Sequence, residues 1–221
     1  MAHARDASLG DLRDEALALL RDSPAGQPLD LRTAALIGVA VRASVTTFDI
    51  EGACAFAERA LDAGATADQV HETLVLVSAI GVHTLHEGSR RLAEVLRERG
   101  ELDVRVPLDG ERAALWERYF DGNPSSDRLE QEVPGFLDAL VRFSPDAFAA
   151  FFEYCAVPWR SRALPVAAKE LISLAVDATP THRYLPGVRL HIKNALTLGI
   201  GRSAILETLD IAAAAKKRRG P

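Results

Sequence analysis

Glu170, His182, Tyr184 and His191 are the residue types of this 221-residue chain best suited to moving a proton on an organic substrate, and they fall in one short stretch. A carboxylate facing an imidazole orients the ring and tunes its basicity, the least apparatus that acid/base chemistry needs without a cofactor. His191 is the expected general base or acid and Glu170 its orienter, with His182 and Tyr184 as the groups that polarise a substrate. A Glu and a His on adjoining helices serve equally well as a structural hydrogen bond, and a lone His beside a turn is more often a turn residue than a catalyst. His83, His86 and Glu87 form a second polar group. Three-residue spacing puts both histidines on one helix face, but no third spaced ligand accompanies them, so no metal is expected and they read as walls of a substrate pocket or as surface positions. Trp159 and Arg160, beside Pro158, are candidates to close such a pocket over an organic acid, the alternative being a packed Trp next to a solvated Arg.

These side chains must be positioned by helices. Alanine and leucine dominate, and apolar residues recur at intervals of three and four, as in Leu12, Ala16 and Leu19, Leu36, Val39 and Ala40, or Leu171, Leu174 and Ala175. The chain reads as all-α. Gly64 and Gly199 sit where a helix C-terminus wants a left-handed residue. Thr66 with Gln69 has capping-box spacing, and Ser144-Pro145-Asp146 gives a cap, a first-turn proline and an acid in the order that starts a helix. Pro180 and Thr181 mark the turn of a helical hairpin, with Pro186 in the first turn of its second helix. Glu170 before that turn and His191 after it stand at similar height in the antiparallel pair. The amides near Pro186 to Val188 are expected to offer partial positive charge to a substrate carboxylate or enolate oxygen.

The same hairpin occurs twice. Leu29 to Ala79 align without a gap onto Leu164 to Ala214 at a constant offset of 135, with 15 of 51 pairs identical. The second copy carries Glu170, His182, Tyr184 and His191 where the first has Ala35, Thr47, Asp49 and Phe56, so the first copy reads as support and the second as the site. The boundary is expected between 1–105 and 106–221.

Composition narrows the function class. A net charge of -5 with 48% hydrophobic residues fits a globular protein and argues against nucleic-acid binding, which needs a clustered basic face. The basic run Lys216, Lys217, Arg218, Arg219 reads as the favourable end of a last helix. No apolar stretch has signal-peptide or membrane-spanning length, which points to a cytoplasmic protein without a membrane partner. Cys54 and Cys155 are isolated, form no CxxC pair and read as small core residues.

The second hairpin resembles the carboxymuconolactone decarboxylase and alkylhydroperoxidase-D-like family. The resemblance rests on Lys169-Glu170-Leu171-Ile172-Ser173-Leu174-Ala175-Val176, on Arg189-Leu190-His191-Ile192-Lys193-Asn194-Ala195-Leu196 with Gly199, and on Glu207-Thr208-Leu209. The first copy matches more loosely through Leu36-Ile37, Ala60-Leu61, Gly64-Ala65-Thr66 and Glu72-Thr73-Leu74. It implies a helical bundle of the alkylhydroperoxidase-D type, two fused repeats, assembly as a trimer or dimer, and no cofactor. Peroxidase-type members place CxxC cysteines where Tyr184 and Gly187 stand here, and decarboxylase-type members often place a Glu at the position of Gly187. The resemblance therefore implies decarboxylation or isomerisation of a small carboxylated or lactone-type metabolite, with Glu170 and His191 as the retained groups and a thiol peroxidase disfavoured. A catalytically silent helical oligomer or small-molecule binding protein is the alternative, and a redox enzyme that uses Cys54 or Cys155 is a third.

Overall fold

The computed structural model describes residues 7–122 and 124–216, and its regular elements are helices, with no strand among the described residues. In chain order the α-helices are α1 (Leu9–Leu19), α2 (Leu31–Ala43), α3 (Ile50–Asp62), α4 (Ala67–Ser78), α5 (Val82–Glu98), α6 (Gly110–Tyr119) and α7 (Pro124–Glu132). They continue with α8 (Phe136–Phe143), α9 (Pro145–Arg160), α10 (Val166–Asp177), α11 (Leu185–Thr197) and α12 (Arg202–Ala213). The chain divides into two compact units, one built from the described residues up to Ile80 together with those from Pro158 onward, the other from Gly81 to Val157. No helix among the described residues is long and apolar enough to cross a membrane.

In the first unit, α2, α3 and α4 recur as α10, α11 and α12, each beginning 135 positions further on. Their turns recur too. Phe48 and Arg183 both adopt left-handed backbone, φ 53° and 52°, a conformation that costs a side chain roughly 1–2 kcal/mol. It is held by matching bonds: Asp49 N–H donates to the Arg42 carbonyl at 2.9 Å, and Tyr184 N–H to the Asp177 carbonyl at 2.8 Å. Gly64 (φ 87°) and Gly199 (φ 79°) end α3 and α11 as their spacing predicted, with Ala65 N–H bonded to Ala60 and Ile200 N–H to Ala195.

The core of this unit follows from sequence. Residues Ala35 to Val41 of α2 are buried without a break, and nearly the whole of α10 is, so both helices lie inside, α10 taking Lys169, Glu170 and Asp177 in with its apolar residues. Leu36, Ile37, Ala40 and Val41 share one core cluster with Leu171, Ile172, Ala175 and Val176, each large side chain contributing about 1.5–3 kcal/mol. Glutamates fasten each third helix to the other hairpin. Glu72 Oε2 on α4 accepts from Leu164 N–H at 3.1 Å, and Glu207 Oε2 on α12 accepts from Leu29 N–H at 2.8 Å. The first of these also carries an ion pair. Lys169 Nζ, 1% exposed, lies 2.8 Å from Glu72 Oε1 and donates to the Pro158 and Ser161 carbonyls at 2.7 and 2.8 Å.

The N-termini are closed as read from sequence. Thr66 and Gln69 form the capping box of α4, and Ser144 Oγ accepts from Ala147 N–H at 3.1 Å at the start of α9. Of the basic run, Lys216 stands 3.6 Å from Asp49, and Lys217, Arg218 and Arg219 lie outside the described residues.

The second unit holds α5 to α8 and most of α9 around Phe136, Phe148 and Phe151. His86 packs into this aromatic nest, its ring 4.3 Å from Phe136 and 5.6 Å from Phe151, and burial pushes its imidazole down to about 3. The unfolded imidazole takes up its proton near pH 6.5 while the folded one resists it, so stability is lost as pH falls from 6.5 towards 3. His86→Leu is expected to remove about 2 kcal/mol of that loss at pH 5, read as a smaller shift of the urea midpoint between pH 7.5 and pH 5 than the parent shows.

Candidate active site

The turn between α10 and α11 collects ionisable groups in the interior of the first unit. Glu170 and Asp177 lie two turns apart on α10, so both face the same way, towards α11. His191 Nδ1 and Glu170 Oε2 are 2.7 Å apart, and Asn194, one turn further along α11, donates to both Glu170 oxygens at 3.2 and 3.3 Å. On the other side of the ring, His191 Nε2 is 3.7 Å from Asp177 Oδ2, and Asp177 Oδ1 is 3.7 Å from His182 Nε2. One carboxyl group thus stands between two imidazoles. The side chains of Glu170, Asp177, His182 and His191 are 7%, 3%, 15% and 15% exposed, so the two rings are the parts nearest solvent.

Their protonation follows from this packing. Burial alone would push His191 down, but the Glu170 hydrogen bond and charge, with Asp177 added, hold its imidazole above the usual 6.5. Burial raises the Asp177 carboxyl to about 7, with the His191 charge opposing, and it lowers His182 to about 4. The cluster therefore favours the charged form of His191 beside Glu170, keeps His182 neutral at pH 7, and leaves Asp177 able to take or give a proton.

Tyr184 is the N-cap residue of α11, 7% exposed, with its ring 5.7 Å from that of His182. The expectation that the α11 N-terminus awaits a substrate anion is corrected by the structure. Pro186 has no N–H, Val188 N–H donates to the Tyr184 carbonyl at 3.1 Å, and the Asp177 carboxylate lies so close to Gly187 that a Cβ there would overlap Oδ2. The protein's own carboxylate packs against the first turn of α11, and Gly187 is the residue that lets it in. Asp177 was missed in the sequence reading. Its signal was a single acid closing a long apolar run, in register with Glu170 at seven residues.

The other candidates are placed as follows. Trp159 and Arg160 occupy the last turn of α9, both exposed, Trp159 at 39%. His83 and His86 share one face of α5 with rings 5.3 Å apart, in the other compact unit. The cysteines correct the sequence reading, since Cys54 is exposed and Cys155 only half-buried, both free. Burial raises the Cys155 thiol to about 11, which leaves almost no thiolate at neutral pH. In the first hairpin the positions matching Glu170, Asp177, His191 and Asn194 are Ala35, Arg42, Phe56 and Arg59. The Phe56 ring lies against the α2 backbone at Gly38, where a Cβ would overlap it, with the Arg42 and Arg59 guanidinium carbons 3.8 and 4.5 Å from its centroid.

Comparison with known proteins agrees with this architecture. The family model described as carboxymuconolactone decarboxylase matches residues 145–217, the segment that carries α9 to α12 and the whole ionisable cluster. A crystal structure of a candidate gamma-carboxymuconolactone decarboxylase subunit from Burkholderia xenovorans LB400 matches at 33% identity and a TM-score of 0.72, over 94% of this chain and 90% of that one. No curated protein matches. With a third of its residues shared over nine-tenths of both chains, this protein belongs to the carboxymuconolactone decarboxylase family.

Proposed function

We propose that the chain is a cofactor-independent acid/base enzyme that decarboxylates or isomerises a small carboxylated or lactone-type metabolite at His191. The observation that carries this reading is His191 held through Nδ1 by Glu170 at 2.7 Å with a second carboxyl, Asp177, 3.7 Å from Nε2. Glu170 fixes the ring and favours its charged form, so the Nε2 proton is the one available for transfer. In a decarboxylation the C–C bond to the carboxylate breaks, its electron pair passes into the neighbouring carbonyl as an enolate, and His191 returns a proton to carbon as carbon dioxide leaves. In an isomerisation the neutral form of His191, unprotonated at Nε2, removes a proton beside the carbonyl and returns it elsewhere. Asp177, buried and near neutrality, restores the proton on His191, while His182 and Tyr184 line the turn that the substrate meets.

The repeats 1–105 and 106–221 are proposed as copies of one ancestral unit, supported by the coincident helix starts and turns, with the first copy non-catalytic because Phe56 replaces His191. Self-association as a trimer or dimer is supported by Val45 and Phe48, 52% and 59% exposed. A thiol mechanism is disfavoured by Tyr184 and Gly187 at the cysteine positions and by the raised Cys155 thiol. The near closure of the site favours a second reading, a silent helical assembly that retains the fold. Turnover of a panel of carboxylated lactones by the parent and by His191→Ala separates the two, since a silent assembly converts none of them.

A further inference from the structure

The first hairpin lacks the acid/base cluster, yet the same place in it is not simply filled. A pocket of about 620 Å³ opens there, lined by Leu31, Ala34 and Ala35 of α2, by Arg42, Phe56 and Arg59, and at its edge by Ile211 and Ala214. This lies within the size range of small-molecule sites. The substitutions that created it reverse the charge of the position. Where the second hairpin has Glu170 and Asp177 around His191, the first has no carboxylate in either place and gains two guanidiniums around Phe56.

Both guanidiniums lie over the Phe56 ring, and Arg42 is held in place. Arg42, half-buried, donates Nη1–H to the Gly38 carbonyl at 3.0 Å, and its remaining N–H groups have not been used by that bond. Arg42 also lies close enough to Arg59 to be disfavoured by its like charge. The carboxylates nearby are Asp49 and Asp62. Asp49 accepts from Gly52 N–H at 3.1 Å at the start of α3 and faces Lys216 at 3.6 Å, and its charge also acts on Arg42, while Asp62 is one of the residues that line the pocket. Two cations over an aromatic ring, flanked by alanine, leucine and isoleucine, match a planar carboxylate with an apolar body: the head pairs with the arginines and the body covers Phe56.

We infer that this pocket of the first hairpin binds a small organic monocarboxylate, as a site separate from the acid/base cluster of the second. The inference stands whether or not His191 is catalytic, because it rests on the other hairpin.

Benzoate is a suitable probe, with benzamide as its neutral isostere, followed through the Ala34 and Ala35 methyl signals of the full chain at low salt. Saturable benzoate binding with a dissociation constant of about 1 mM is expected, with benzamide at least about tenfold weaker. Arg59→Gln and Arg42→Gln are each expected to weaken benzoate about tenfold, and His191→Ala to leave it unchanged. Arg59 is exposed, so its variant remains decisive if Arg42→Gln fails to fold. The inference is overturned if these signals show no saturation up to about 20 mM, far above that constant. It is equally overturned if benzamide binds as well as benzoate, if Arg59→Gln binds undiminished, or if His191→Ala removes the binding.

Discussion

Replacing His191 by alanine is expected to lower turnover by about 100- to 10,000-fold, the factor that a positioned general acid or base contributes. Glu170→Gln removes the charge that holds Nδ1 but keeps a side chain of the same shape, so it should cost only part of that factor. The double variant should be scarcely worse than His191→Ala alone, because residues that act as one unit are not additive. Glu170 is 6% exposed and accepts from Asn194 as well as facing His191, so each variant needs a folding check. An acceptor or donor left unsatisfied at that depth costs about 1–3 kcal/mol. Well-folded His191→Ala with full turnover would make the histidine structural and move the site to His182 and Tyr184.

Lys169→Met is expected to destabilise the protein by about 3–5 kcal/mol, because it leaves the Glu72 charge buried without its counter-ion. The pair is 1% and 5% exposed, and Lys169 also satisfies two carbonyls at the junction of α9 and α10. Glu72 meanwhile closes the loop before α10 through Ser161 Oγ at 2.5 Å and Leu164 N–H. Removing both partners, as in Lys169→Met with Glu72→Gln, should cost less than the sum of the single changes, since no lone charge then remains buried. Urea midpoints read this directly, and a loss below about 1 kcal/mol for Lys169→Met would show the pair to be screened as a surface pair is. This lysine sits on the helix of Glu170, so its loss should also loosen the site.

The local features were legible in the sequence because each is written in neighbouring residues. The three- and four-residue apolar period gave the helices, Gly64 and Gly199 their ends, and Thr66 with Gln69 a cap. The constant offset between copies anticipated the recurrence of three helix starts, and the left-handed turn residues Phe48 and Arg183 recur with them. Glu170 facing His191 followed from counting residues on either side of one turn. What escaped was set by tertiary packing. Asp177 looked like the polar end of an apolar run, and only the approach of α11 at Gly187 places its carboxylate between two imidazoles. Glu72 and Leu164, 92 positions apart, gave no sign of being bonded. His86 read as a pocket wall and is enclosed by phenylalanines instead. Cys54 shows the opposite failure, a signal present but unused: Ala53 and Ala60 mark the buried stripe of α3, and the next residue after Ala53 points away from it.

If Glu170, His191 and Asp177 form one proton-transfer unit, their titrations are linked, which NMR of the His191 ring nitrogens and the Asp177 carboxyl across pH reads out. His191 is expected to titrate above 6.5 and Asp177 near 7, and Glu170→Gln to lower His191. A His191 that titrates at or below 6.5, beside an Asp177 in the ordinary range near 3.8, would contradict such a unit.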